Sequence, residues 1–187
     1  MGLDISYYKL GKMVEPDAED DFEVYSDEWY EKYGHLINIQ SYGIWDQSDD
    51  LQDGLYENEY LGGFRAGSYS GYGWFRDALT TLGEIALSEN EMLKEKYGED
   101  SEPFEPLTNF SDCEGYLGPF TCSMLSEVFT DFEKPIVQDI IKMAQYGARN
   151  DVYNKYTRDD LDYFITKYRD WREAFVETAG KGVVIFH

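Results

Sequence analysis

The sequence predicts an α+β fold, with a small β-sheet packed against several amphipathic helices in one domain spanning 1–187. Apolar and polar residues alternate near both ends of the chain, as they do in half-buried strands. Apolar residues recur at helical spacing through long segments of the second half. A chain of 187 residues is long enough to bury one core, and sheet-on-helix layers are a stable way to do so.

The first third of the chain is predicted as strand, loop, short helix and strand. The segment LDISYYKL alternates apolar and polar residues and predicts a strand over Leu3–Leu10. Ser26 is the predicted N-cap of a helix that runs to Tyr33 and stops at Gly34. The composition of His35–Ile44 is typical of a strand.

The middle of the chain is predicted as a strand over Leu61–Ala66 that leads through a glycine-rich turn into a helix over Tyr72–Leu87. Ser88 and Glu91 have the spacing of a capping box, which predicts a second, short helix that ends at Gly98. A loop then leads to a predicted strand over Leu107–Phe110.

The last third is predicted to be mainly helical. A helix begins at Gly118-Pro119, and Pro135 either kinks it or begins a new one. Its predicted buried stripe consists of Cys122, Leu125, Val128, Phe129 and Phe132. Thr157 and Asp160 cap the last helix, which ends near Gly180, and VVIF forms a closing strand.

The charge of the chain excludes some partners. A formal net charge of −22 opposes broad contact with DNA, RNA or anionic lipid, so we expect no direct nucleic-acid binding and no membrane association. Acidic loops are predicted near 12–25 and 45–60, where Glu15–Glu23 and Asp46–Glu59 concentrate carboxylates. These stretches either form a solvated face, attract a basic protein, or mimic the phosphates of nucleic acid.

The sequence also bears on location and cofactors. It has no apolar run of the ~20 residues that cross a bilayer, and its start lacks the layout of a secretory signal, so we expect a cytoplasmic protein. Cys113 and Cys122 are its only cysteines, too few for a disulfide framework or a zinc site, and Cys122 is a predicted core residue. We expect no metal and no cofactor. Positions 46–57 lack the turn glycine of a calcium-binding loop.

The first candidate motif is FRAGSYSGYGW, which runs from Phe64 to Trp74. A glycine-rich turn before a helix exposes backbone N–H groups and the positive end of the helix dipole, and together these can hold an anion. The predicted ligand-binding residues of this motif are donors, Arg65, Ser68, Ser70 and Arg76, and flat rings, Tyr69, Tyr72 and Trp74. The alternative is a capped helix, with Ser70 bonded to the first turn and the rings in the core.

The second candidate motif is NFSDCEGYLG, which runs from Asn109 to Gly118. Asp112 and Glu114 stand two residues apart and are predicted to line the ligand site. Two neighbouring carboxylates can also divide acid and base roles, so Asp112, Glu114 and His187 are the alternative catalytic set. The alternatives are a structural turn for the motif and a fraying end for His187. The interpretation requires that both motifs line one hollow.

The segments MGLDIS, FRAGSYSGY, NFSDCEG with the following LG, and WREAF with the closing VVIFH resemble a family of proteins of bacteria, prophages and phages whose activity is not established. The resemblance covers both ends and both central motifs. It implies a phage or prophage setting and transfers no catalytic residue. One departure is Gly73, where the family pattern has a polar residue.

Three functions are compatible with these residues. The favoured hypothesis is a non-enzymatic protein that binds a small polar, nucleotide-like ligand and, in a phage setting, acts as a sponge against host-defence signalling. The second is an acidic inhibitor that occupies a basic groove on a host protein. The third is a hydrolase that uses Asp112 and Glu114.

Overall fold

The structure, a computed structural model, describes residues 2–17, 23, 26–40, 51–110, 115–146 and 157–187. These residues form five strands and six helices, and the predicted α+β class is confirmed. The elements in chain order are β1 (Gly2–Val14), α1 (Asp27–Tyr33), β2 (Ile37–Ile39), β3 (Gly54–Ser68), α2 (Tyr69–Glu89), α3 (Glu91–Tyr97), α4 (Glu105–Thr108), β4 (Gly115–Leu117), α5 (Pro119–Tyr146), α6 (Arg158–Thr178) and β5 (Gly182–Phe186).

The described strands form one antiparallel sheet in the order β2-β3-β1-β5-β4. The central strand β1 pairs with β3 along nearly its whole length and with β5 from Ile5 to Lys9. Because neighbouring strands run in opposite directions, one end of the sheet collects the starts of β1 and β4 and the ends of β3 and β5. We call this end, where Gly2 opposes Ser68 and Gly115 opposes Phe186, the motif end.

The sheet has apolar residues on both faces, as the alternation in β1 predicts. Leu3, Ile5 and Tyr7 join the main core with the apolar faces of the long helices. That core includes fully buried rings of α5 and α6, such as Phe129 and Trp171. On the opposite face a smaller cluster surrounds Val183 and takes in side chains from every strand.

Both long strands extend further than the sequence predicts. β1 continues to Val14, and β3 begins at Gly54, so part of each predicted acidic loop is strand. Glu57 and Glu59 are exposed while Leu55 and Tyr56 are buried, which is why an acidic composition does not prevent strand pairing here. In the predicted strand over His35–Ile44, Ile37–Ile39 is strand; 41–50 lies outside the described residues.

Helix limits show which cap predictions are right. Ser26 caps α1, Gly98 follows α3, and Thr157 with Asp160 forms the capping box of α6, as predicted. The predicted Ser88 box is wrong, because Asn90 accepts hydrogen bonds from two amides of α3, whereas the Ser88 hydroxyl donates back to the Ile85 carbonyl.

Pro106 and Pro135 both lie in helices. The predicted strand over Leu107–Phe110 is wrong, because Glu105–Thr108 forms a short helix with Pro106 in its first turn. Pro135 begins no new helix and lies inside the 28-residue α5. The apolar stripe of α5, which includes Cys122, is buried as predicted.

Candidate functional site

The first motif lies at the motif end and forms a direct transition from β3 to α2. Ser68 ends the strand in an extended conformation and its hydroxyl accepts a hydrogen bond from the Gly71 amide at 3.1 Å. The Ser70 hydroxyl lies 3.1 Å from that of Ser68. The predicted glycine-rich turn is therefore absent between these described elements, and the cap is Ser68, not Ser70.

Helix α6 packs across the end of β3. The Tyr163 hydroxyl donates to the Ala66 carbonyl at 3.0 Å, and the Lys167 ammonium donates to the Arg65 carbonyl at 2.7 Å. Gly67 has a φ of +133°, and a Cβ built on it would lie 2.6 Å from the Tyr163 oxygen. Burial, and then the charge of Asp170, raise the pKa of Tyr163. Two backbone carbonyls of the first motif are therefore bound by side chains of α6.

Arg65 is an exposed cation of the motif end. Its side chain is 61% exposed, and its guanidinium lies 3.7 Å from the Asp4 carboxylate and across Gly2. An ion pair that is this long and this exposed contributes little, about 0–1 kcal/mol. Arg65 can therefore exchange its carboxylate partner for a ligand anion at small cost.

Arg76 has a different environment from the one predicted. It donates to the carbonyls of Thr108 and Phe110, at 3.3 and 2.9 Å, and its guanidinium carbon lies 4.7 Å from the centre of the Tyr72 ring. The charged donor is thus directed at the backbone that enters the second motif. Arg76 connects the two motifs across α2 and α4, which the sequence does not reveal.

The three rings of the first motif differ in exposure. Tyr72 has no exposed surface and packs between Trp171 and Phe186, so the prediction that its ring stacks on a ligand is wrong. Trp74 is half-buried, with its ring centre 5.9 Å from that of Tyr163. Tyr69 is 40% exposed and remains available for contact.

The central residues of the second motif, Asp112, Cys113 and Glu114, lie outside the described residues. The flanks of this motif are described. The Phe110 ring lies 4.7 Å from the ring of Phe186, and Gly115 pairs with the same Phe186 in the sheet. The segment therefore leaves and re-enters the described structure at the motif end, close to the first motif.

The backbone of His187 is paired with β1, so the alternative of a fraying end is wrong. Its amide donates to the Asp4 carbonyl at 2.9 Å, and its carbonyl accepts from the Asp4 amide at 3.3 Å. The exposed side chain of His187 consequently lies beside the strand residue that pairs with Arg65. Its predicted catalytic role stays a prediction.

The motif end is completed by Gly2, Asp4, Tyr163 and Lys167, to which the sequence alone assigns no role. The first two belong to the string MGLDIS, which is their signal in the sequence. The two residues of α6 follow a helical pattern and bond to positions 97 and 102 residues away, respectively. Such contacts have no local signature in a sequence.

Metal ligands, membrane spans and the acidic stretches can be examined in the described residues. The described part of the chain contains no cluster of three His, Cys, Asp or Glu residues suited to a metal ion. Of its helices, none combines the length and apolar character that a bilayer crossing requires. Among the acidic stretches, Glu57 and Glu59 lie on β3, whereas 18–22 and 46–50 fall outside the described residues.

Comparisons of the chain with protein-family models, with curated proteins and with solved structures find no match.

Proposed function

We propose that the protein binds a small anionic, nucleotide-like ligand at the motif end without catalysing a reaction. The observation that carries this proposal is convergence: Arg65 and Ser68 lie at the end of β3, and both flanks of the second motif meet Phe186 at the same end of the sheet. This convergence is not a consequence of closeness in the sequence, because the two motifs stand about forty residues apart.

The chemistry of the exposed groups favours an anion. The Arg65 guanidinium offers a planar set of donors that suits phosphate or carboxylate. The hydroxyls of Ser68 and Ser70 lie at the start of the 21-residue α2, where the helix dipole is positive. The half-exposed ring of Tyr69 can cover a base or a sugar. Asp112 and Glu114 would contact the polar edge of such a ligand.

The setting of this function follows from the family resemblance. We place the protein in the cytoplasm of a bacterial cell, where a phage-type protein that holds a nucleotide signal would lower its free concentration and so weaken host-defence signalling. A binding protein needs no turnover for this effect, because sequestration is stoichiometric.

Thermal unfolding with a ligand panel tests the proposal. The panel contains inorganic phosphate and mono-, di- and cyclic nucleotides. A ligand at 100 times its Kd stabilises a protein by about 2.7 kcal/mol, which corresponds to roughly 5–10 °C in Tm for a chain of this size. We expect such a shift with at least one nucleotide. No shift across the panel would refute ligand binding.

Matched variants locate the site. Arg65→Gln should remove the shift, because it deletes the exposed cation of the motif end. Lys9→Gln is the control, because it deletes a cation that also faces a carboxylate across β1 and β3, Glu59 at 3.5 Å, away from the motifs. A shift that survives in Arg65→Gln would place the ligand elsewhere.

Chromatography of the same samples separates binding from the hydrolase alternative. Recovery of the intact nucleotide supports a binding protein. Product formation that Asp112→Asn abolishes, with the fold retained by circular dichroism, would instead support the hydrolase.

A further inference from the structure

The outer edge of β3 is open over much of its length. On one side β3 pairs with β1 from Leu55 to Ser68, but on the other side β2 opposes only Gly54–Tyr56. Among the described residues no strand lies beside the stretch from Glu57 to Gly63, although near its start the Asn58 side-chain amide donates to the His35 carbonyl at 3.0 Å. We call this stretch the open edge.

Hydrogen bonds at the motif end show which way the backbone of β3 faces. Asp4 exchanges both of its backbone hydrogen bonds with His187, so its N–H and C=O face β5. Arg65, which opposes Asp4, therefore faces away from β1, and the bond from Lys167 to its carbonyl agrees with this. Gly63, two residues earlier, faces outward as well.

The outward direction can also be established beyond the register shift between Tyr7 and Tyr8, whose partners on β3 are Gly62 and Tyr60. The Leu10 amide donates to the Lys181 carbonyl, so the backbone of Leu10 also faces β5. Asn58, which opposes Leu10, therefore faces outward, and so does Tyr60, two residues on. Tyr60 and Gly63 thus present N–H and C=O groups along the open edge, as an incoming strand requires, whereas His35 already lies beside Asn58 and accepts a hydrogen bond from its side chain at 3.0 Å.

The surface of the open edge suits close approach. Gly62 and Gly63 carry no side chains at the edge, and the hydroxyls of Tyr7 and Tyr60 fill the space over them on the faces of the sheet. The ring of Tyr60 is 62% exposed and meets the ring of Tyr8 edge-on, with 5.4 Å between the ring centres, so an apolar surface lies beside the edge. Side chains of α6 bond to the β3 backbone at Arg65 and Ala66, and Lys167 also lies 5.6 Å from the centre of the Phe64 ring.

Charge decides which strand can pair here. Glu57 and Glu59 are exposed beside the open edge, Glu59 in an exposed ion pair of 3.5 Å with Lys9 of β1, and the chain carries a net charge of −22. Two copies paired through this edge would bring like charges together, which is destabilising and is a common protection against self-association. A strand with Lys or Arg at alternate positions would instead complement Glu57 and Glu59.

We propose that the open edge accepts an extended, basic segment of a partner protein as an additional antiparallel strand. Backbone hydrogen bonds to Tyr60 and Gly63 supply affinity, and the carboxylates of Glu57 and Glu59 select cationic side chains. This interaction is independent of the ligand proposed for the motif end.

A synthetic octapeptide of alternating Lys and Val is the probe, and fluorescence anisotropy measures its binding. The first control is the same peptide with its alternate amides N-methylated, which removes one row of donors and keeps the charge. We expect binding to weaken at least tenfold in this control. Equal binding of both peptides would overturn the proposal, because charge alone would then explain it.

Protein variants and amide exchange give a second readout. Glu57→Gln with Glu59→Gln should weaken binding at least fivefold, whereas Glu28→Gln with Glu31→Gln on α1, which removes the same charge, should not. The bound peptide should slow exchange of the Tyr60 and Gly63 amides. Protection confined to other strands, or a dimer formed through this edge in sedimentation, would also overturn the proposal.

Discussion

Two glycines of one motif should respond in opposite directions to the same substitution. Gly67, next to the last residue of β3, has a φ of +133°, which side-chain-bearing residues rarely adopt. Gly73 lies inside α2, and a Cβ built on it meets no atom within 4 Å. Gly67→Ala should therefore destabilise the fold, and Gly73→Ala should stabilise it.

The magnitudes follow from the local contacts. At Gly67, holding alanine in this backbone region costs about 1–3 kcal/mol. Its Cβ would also displace the Tyr163 hydroxyl, and losing the bond to Ala66 costs a further ~0.5–1.5 kcal/mol. The sum is roughly 2–4 kcal/mol, or about 5–15 °C in Tm. Gly73→Ala should gain about 0.5–1 kcal/mol, because alanine loses less conformational entropy in a helix.

Thermal and urea unfolding followed by circular dichroism measure both effects. A double-mutant cycle with Tyr163→Phe isolates the hydroxyl, since Gly67→Ala should cost about 0.5–1.5 kcal/mol less in that background. Destabilisation by both alanine variants, or an unchanged cost without the hydroxyl, would refute the reasoning from backbone conformation and contact.

Three further outcomes are expected. Thr157→Ala should lower the free energy of unfolding by about 0.5–2 kcal/mol in urea titrations, because it removes the N-cap of α6. Phe129→Ala should cost about 3–5 kcal/mol in the same assay, because this ring is fully buried. Burial, and then the charge of Glu173, raise the pKa of Tyr7 to about 12. The associated stability is present below pH 10 and is lost as pH rises toward 12, and Glu173→Gln should lower this pKa in a carbon-13 NMR titration of tyrosine.

Local signals in the sequence predict most of the fold. Side-chain caps such as Ser26 and Thr157 act within three residues, and the helical stripe around Phe129 needs no knowledge of its partner. Strand limits were predicted less well, because the extent of β3 is set by pairing with β1, about fifty residues away. Acidic residues at alternate positions give a segment the composition of a loop. Such a segment nevertheless forms a strand when its acidic side chains face solvent.

The candidate site stays a prediction, and the environment of its side chains is where the sequence is least informative. Glycine, serine and aromatic residues mark the first motif, but composition cannot distinguish a ring that contacts a ligand from one that fills a core. Tyr72 fills the core because Trp171, on a distant helix, covers its face. Arg76 is directed at carbonyls of the segment before the second motif, which becomes evident only once α4 is folded.

Helix α6 also sets the length of a strand that the open edge can hold. Lys167 and Tyr163 occupy the carbonyls of Arg65 and Ala66, so an added strand must end near Gly63. At the other end, β2 occupies the edge up to Tyr56, and the His35 carbonyl accepts a hydrogen bond from the Asn58 side-chain amide at 3.0 Å. The stretch that remains, Glu59–Gly63, has five residues and spans about 17 Å at ~3.4 Å per residue. Affinity for Lys–Val peptides should therefore rise with length up to about five residues and then level off. A continued rise through longer peptides would indicate binding to the acidic surface at large and not to this edge.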